Sequence, residues 1–222
     1  MNDPAPQPPA IAAPLFVLCL LYGGMTVTAG VLGFKQVALG SLAVEAGIFA
    51  FLMLVVISSA VAQLYGRGTA NRLVLWGFLP LFASMALIAL VLLLPASADM
   101  GPERLGAFET VLSQNLRIMA AGPAAYGVSM LLNVTIFSFL KGRADDAGST
   151  AWMMARGAIA SALSQVVDTL IFLTLAFYGE FPIGSLLLGQ ALAKVALSVV
   201  LVPPLIALAV GLARKYDPRV TS

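Results

Sequence analysis

The chain has 222 residues, 60% of them hydrophobic and only 10% charged, with a mean hydropathy of +0.99, which excludes a soluble globular protein. Its net charge of +2 comes from basic residues scattered between hydrophobic runs, which excludes a nucleic-acid-binding surface. With one cysteine and no histidine, disulfide scaffolds, Cys/His zinc sites, His-ligated haem and His-based triads are excluded as well, and no cofactor is expected.

Residues 1–9 hold four prolines and no Lys or Arg, so they read as a flexible tail without the basic start of a signal peptide, and no cleavage is expected. Six apolar runs follow: Pro14–Gly33, which contains Cys19, Leu39–Leu64, Leu73–Leu94, Phe108–Leu140, Ala151–Phe177 and Ile183–Ala213. Each reaches the roughly 20 residues needed to cross about 30 Å of hydrocarbon. They predict an all-α integral membrane protein, a single polytopic domain over residues 1–222 with six transmembrane helices and a cytoplasmic tail at 1–10. The fourth and sixth runs are longer than one crossing requires, so they are expected to tilt or break, with Pro123 and Pro203-Pro204 as the places.

Arg67, Arg72, Lys141, Arg143, Arg214, Lys215 and Arg219 fall at one side of the predicted bundle, and only Lys35 and Arg104 at the other. The basic side is therefore expected to be cytoplasmic, with both termini on it, in the cell (inner) membrane. Gly66-Arg67-Gly68-Thr69-Ala70-Asn71 lacks the Lys-Ser/Thr ending of a phosphate-binding loop and reads as a turn with cytoplasmic anchors.

Five charges remain inside the runs: Glu45, Arg117, Arg156, Asp168 and Lys194. A carboxylate at the depth of Asp168 costs about 2.5 kcal/mol or more unless it has a partner or a wet cavity, so it marks either a substrate or proton site or a buried ion pair. Arg156 lies 12 residues before it, about 18 Å along the same helix, too far to pair. Lys194 is the better geometrical candidate, with Gln190 one turn before it on the same face. Glu45 is expected near the outer end of the second helix, solvated or paired with Arg117. A Ser-Lys hydrolase built from Ser164 and Lys194 has no supporting motif, and the chain is not expected to be an enzyme.

An internal repeat links the fourth and fifth runs. At an offset of 35 residues, Ser129, Asn133 and Phe137 fall opposite Ser164, Asp168 and Phe172, both spelling Ser-x-x-x-(Asn/Asp)-x-x-x-Phe. Residues four apart share a helix face, so each helix is expected to present hydroxyl, amide or carboxylate, and ring in one column, the two columns facing each other. Asp168 is then the only carboxylate expected near the membrane centre, and a ligand rather than a lysine is its expected partner.

Ala46-Gly47-Ile48-Phe49-Ala50-Phe51, Gln63-Leu64-Tyr65-Gly66 with Ala70-Asn71-Arg72, Ser164-Gln165-Val166-Val167-Asp168-Thr169-Leu170-Ile171-Phe172 and Gln190-Ala191-Leu192-Ala193-Lys194 together resemble the vitamin uptake transporter (VUT) family of queuosine-precursor permeases. The resemblance covers the second through sixth runs. It implies a six-helix permease that imports 7-cyano-7-deazaguanine or 7-aminomethyl-7-deazaguanine. The chain departs from the family pattern at Leu52, where the pattern has Pro, at Ser59 and Gln63, where it has carboxylates, and at Asn133. On this reading Asp168 accepts the N–H edge of a deazapurine. Asn133, Gln165 and Gln190 contact its other polar atoms, with Ser129, Ser164, Lys194, Glu45 and Arg117 nearby, and Phe137 and Phe172 stack on the ring. The partners expected are a deazapurine-like small molecule and the lipid bilayer, with no direct nucleic-acid partner; the oligomeric state, monomer or homodimer, stays open. The competing readings are the membrane-embedded binding subunit of an ATP-driven importer and a non-transport assembly protein.

Overall fold

The computed structural model describes residues 11–33, 35–39, 42–113, 116–141, 149–179 and 184–216. Their order is α1 (Ala13–Leu32), β1 (Gln36–Leu39), β2 (Leu42–Glu45), α2 (Gly47–Trp76), α3 (Phe78–Leu93), α4 (Pro102–Leu112), α5 (Leu116–Lys141), α6 (Thr150–Phe177) and α7 (Gly184–Tyr216). Helix dominates because a chain in hydrocarbon has no water to satisfy its amides and must bond them within each segment. Among the described residues, five helical stretches are long and apolar enough to cross a membrane: Ala13–Leu32, Gly47–Leu93, Ala120–Lys141, Thr150–Ala176 and Leu187–Tyr216. The second has 47 residues, about 70 Å of helix, twice one crossing. It folds back on itself, and six passes result, as the sequence predicts.

The fold-back is one residue long. Gly66 sits at φ 83° and ψ 163°, a conformation open essentially to glycine alone, and the helix resumes on either side of it. The expected loop from Tyr65 to Arg72 is thus a single kink, and the third pass starts near Arg67 rather than Leu73. Gly66→Ala is expected to cost about 1–3 kcal/mol through that backbone alone, because no atom lies within 4 Å of the added Cβ. Thermal unfolding of the detergent-solubilised protein, beside Gly68→Ala as a control whose Cβ is equally unobstructed, measures it.

Three further expectations are corrected. The second helix opens at Gly47 and not at Leu39. Leu39 and Leu42–Glu45 belong to an antiparallel hairpin pairing Gln36 with Glu45 and Leu39 with Leu42, with the Ala46 amide donating to the Lys35 carbonyl at 2.7 Å. Its second strand packs against α7. The fourth run breaks at Ser113, where ψ is 76°, and not at Pro123, which lies inside α5. The segment before the break, α4, starts with Pro102 and Glu103, a favourable first turn, carries Arg104 and Glu109, and buries nothing; it has the character of an interfacial helix. Pro203 and Pro204 lie within α7 without ending it.

The hairpin, α4, the N-termini of α2, α5 and α7 and the C-termini of α1, α3 and α6 share one end, here the hairpin end. The opposite, basic end carries Arg67, Arg72, Lys141, Arg214 and Lys215. Packing joins α5 to α6, α6 to α7 and α2 to α1, α5 and α7, while α3 stays peripheral with no buried residue. At the centre, the Tyr126 hydroxyl donates to the Tyr22 hydroxyl at 2.6 Å, with Phe51 and Phe78 edge-on to the Tyr126 ring.

Candidate functional site

A cavity of about 410 Å³ lies among α1, the hairpin, α2, α3, α5, α6 and α7. The residues that line it belong to the hairpin-end half of each membrane pass or to the hairpin end itself, the third pass being counted from Arg67, from Gly33, Gln36, Leu112 and Ser113 at the rim to Leu54, Tyr126, Asp168 and Lys194 at the floor. Its wall is mainly apolar, from Val27, Ile48, Leu81, Met85 and Ile88, with the rings of Phe51, Tyr126 and Phe172. This size and this mixture, an apolar wall with a few convergent polar groups, suit a small planar molecule.

Three charged residues meet it. Lys194 Nζ lies 3.3 Å from Asp168 Oδ2, with both side chains at least nine-tenths buried, so α6 and α7 are joined by an ion pair at the cavity floor. The Ser129 hydroxyl lies 3.2 Å from Asp168 Oδ1 and also 3.2 Å from the Tyr126 carbonyl, and can give its one proton to either. Glu45, at the end of β2, faces the same pair. Burial pushes its carboxyl above the ordinary carboxylate range; the Lys194 ammonium opposes that rise, the Asp168 carboxylate adds to it, and the Gln190 amide favours the charged form.

The buried ion pair that the sequence left open for Asp168 is formed, with Lys194 as the partner, and Glu45 lines the same cavity, where the sequence places Asp168 as the only carboxylate near the membrane centre. Glu45 reaches it because the hairpin folds inward instead of extending α2 towards solvent; Val44 beside it has no exposed surface. One ammonium thus stands between a carboxylate it pairs with, Asp168, and a second carboxyl group whose charge it favours, Glu45.

The remaining predicted residues divide. Phe172 lines the cavity and Gln190 is buried next to Glu45. Ser164 and Gln165 are fully buried below Asp168, the Ser164 hydroxyl donating to the Ser161 carbonyl at 3.0 Å, while the Gln165 amide has no hydrogen-bond partner among the described residues. Asn133 turns to α2, its amide donating to Ser59 Oγ at 3.1 Å. Phe137 is not at the cavity: its ring lies under the Arg156 guanidinium, 4.5 Å from centroid to Cζ. The Arg117 side chain lies outside the described residues. Sequence reasoning missed Phe51 and Tyr126 as wall rings, although Tyr126 stands three residues before Ser129, on the same face of α5.

Over residues 45–208, which begin at Glu45 and include Asp168 and Lys194, the chain matches a protein family described as "Putative vitamin uptake transporter". No curated protein and no solved structure matches it.

Proposed function

Since the chain belongs to the vitamin uptake transporter family and is a multi-pass membrane transporter of vitamin-like substrates, we propose that its cargo is a queuosine precursor, 7-cyano-7-deazaguanine or 7-aminomethyl-7-deazaguanine. The observation that carries this reading is the cavity itself: about 410 Å³, walled by Phe51, Tyr126 and Phe172, with Asp168, Glu45 and Lys194 converging on it. A deazaguanine presents a ring N–H and an exocyclic amine side by side, which one carboxylate accepts as a pair. Asp168 is that acceptor once Lys194 swings to Glu45 or to the ligand carbonyl, and Phe172 with Phe51 covers the flat faces. The aminomethyl compound brings an ammonium as well, which the second carboxylate pairs.

The basic end is the cytoplasmic one on this reading, and the membrane the inner cell membrane. The cavity then faces outward, loads there, and empties inward by alternating access. The test is uptake by cells unable to make queuosine precursors, read as queuosine in tRNA after each precursor is supplied. The protein is expected to restore the modification from at least one. Failure with both precursors at matched expression sinks the substrate assignment. Uptake by the purified chain in liposomes without ATP separates this reading from the binding subunit of an ATP-driven importer.

A further inference from the structure

Below the cavity floor the bundle is polar where packing alone calls for apolar residues. Towards the basic end, Ser59 of α2, Asn133 of α5 and Ser161 and Gln165 of α6 all have zero exposure, and Asn133 bonds Ser59. Among the described residues, Asn133 Oδ1, Ser161 Oγ and both polar atoms of the Gln165 amide lack a hydrogen-bond partner. Polar residues kept only to specify packing are ordinarily satisfied, because a half-satisfied network is worse than an apolar one. Ser129 of α5 touches Asp168 of α6 at the cavity floor, and the Phe137 carbonyl of α5 accepts from Arg156 of α6, so the two helices run antiparallel and Asn133, midway between Ser129 and Phe137, stands about level with Ser161, below the ion pair.

At the lower end, one side chain ties the three helices together. The fully buried Arg156 donates to Gln63 Oε1 of α2 at 2.7 Å and to the Phe137 carbonyl of α5 at 3.2 Å, and its guanidinium stacks on the Phe137 ring. Lys141 closes the same level, Nζ donating to the Gln63 carbonyl at 3.3 Å. Among the described residues no carboxylate meets Arg156.

We propose that this seam is the basic-end half of the transport path, shut in the present conformation, and that Arg156 is its gate. The inference rests on reading the cavity as the substrate site. Idle donors and acceptors in a closed seam are what an alternating pathway requires, since they meet water and cargo only when that half opens. The neutral partner suits a gate: a Gln63 amide and an aromatic face hold a guanidinium less tightly than a carboxylate does, and release it. Asp168 and Arg156 also share α6, 12 residues and about 18 Å apart, so cargo that separates Asp168 from Lys194 at one end frees the same rod whose other end holds the gate.

The test places single cysteines in a Cys19→Ala background and applies a membrane-impermeant maleimide to spheroplasts and to inside-out vesicles. Ser84→Cys, in the cavity wall, is expected to react from the hairpin face. Ser161→Cys, in the seam, is expected to react slowly and from the basic face only, and about tenfold faster when combined with Arg156→Gln or with Phe137→Leu. The second combination keeps the arginine in place should its removal prevent folding. If Ser84→Cys reacts as expected while Ser161→Cys stays inert in both gate variants, or reacts only from the hairpin face, the seam is packing and the proposal is overturned with the cavity reading intact. If Ser84→Cys does not react from the hairpin face, the cavity reading itself fails, and the proposal with it.

Discussion

Uptake by the Asp168→Asn protein is expected to fall by about ten- to a hundredfold, the loss of one charge-assisted hydrogen-bond set worth about 1.5–3 kcal/mol. The substitution keeps the size of the side chain and the Ser129 contact, so what it removes is charge. Removing one partner of a buried ion pair ordinarily destabilises by about 3–5 kcal/mol, because the other charge is stranded. Here the penalty is expected to be smaller, since Glu45 faces the same ammonium and can receive it. Asp168→Asn combined with Glu45→Gln strands Lys194 and is expected to show the full loss of thermal stability. Asp168→Asn combined with Lys194→Gln removes the stranded charge and is expected to regain stability without regaining uptake. If that last protein transports as the wild type does, the ion pair is a packing device and the cargo is recognised elsewhere. If Asp168→Asn alone transports normally, the carboxylate has no part in recognition.

How much of this was legible in the sequence depended on how far each residue acts within its own helix. The six passes, the buried charges and the choice of Lys194 over Arg156 as the partner within reach of Asp168 follow from run length and from rise per residue, which are local quantities. The hairpin was hidden because Val37 to Glu45 is continuous with the apolar run of α2, and the two-residue alternation that marks a strand is lost in a uniformly apolar stretch. Taking this strand as helix put Glu45 at the outer end of a helix instead of at the cavity with Asp168.

The repeated column is only partly kept. Steps of four residues advance about 400°, so each drifts about 40° round the helix. That drift does not set the neighbours on α5, since Ser129 and Phe137 at the two ends of the column both meet α6 while Asn133 between them turns to α2. Ser129 meets Asp168, Asn133 meets Ser59, and Phe137 meets Arg156. The departures at Ser59 and Gln63 acquire meaning only in three dimensions: one receives the Asn133 amide, the other the Arg156 guanidinium.

Gly47→Ala is expected to lower both stability and uptake, and it tests the claim that the hairpin places Glu45. A Cβ at Gly47 would sit 2.7 Å from the Ala29 carbonyl oxygen and 3.1 Å from Gly33 Cα. Both obstacles are backbone of the last turn of α1, itself fixed by the Gly33 amide bonding that same Ala29 carbonyl at 3.0 Å, so no side chain can rotate away. Helices α1 and α2 must separate, at a cost of about 1–3 kcal/mol for an overpacked contact. The hairpin connects those two ends, so Glu45, two residues before Gly47, moves with them. Gly24→Ala, where the added Cβ meets nothing within 4 Å, is the control, expected to be neutral or to stabilise by about 0.5–1 kcal/mol through helix propensity. Thermal midpoints and uptake rates of the two proteins decide the matter. A Gly47→Ala protein as stable as Gly24→Ala would mean that α1 and α2 are not in backbone contact at this point. A destabilised protein with unchanged uptake would detach Glu45 from transport and leave recognition to the Asp168–Lys194 pair alone.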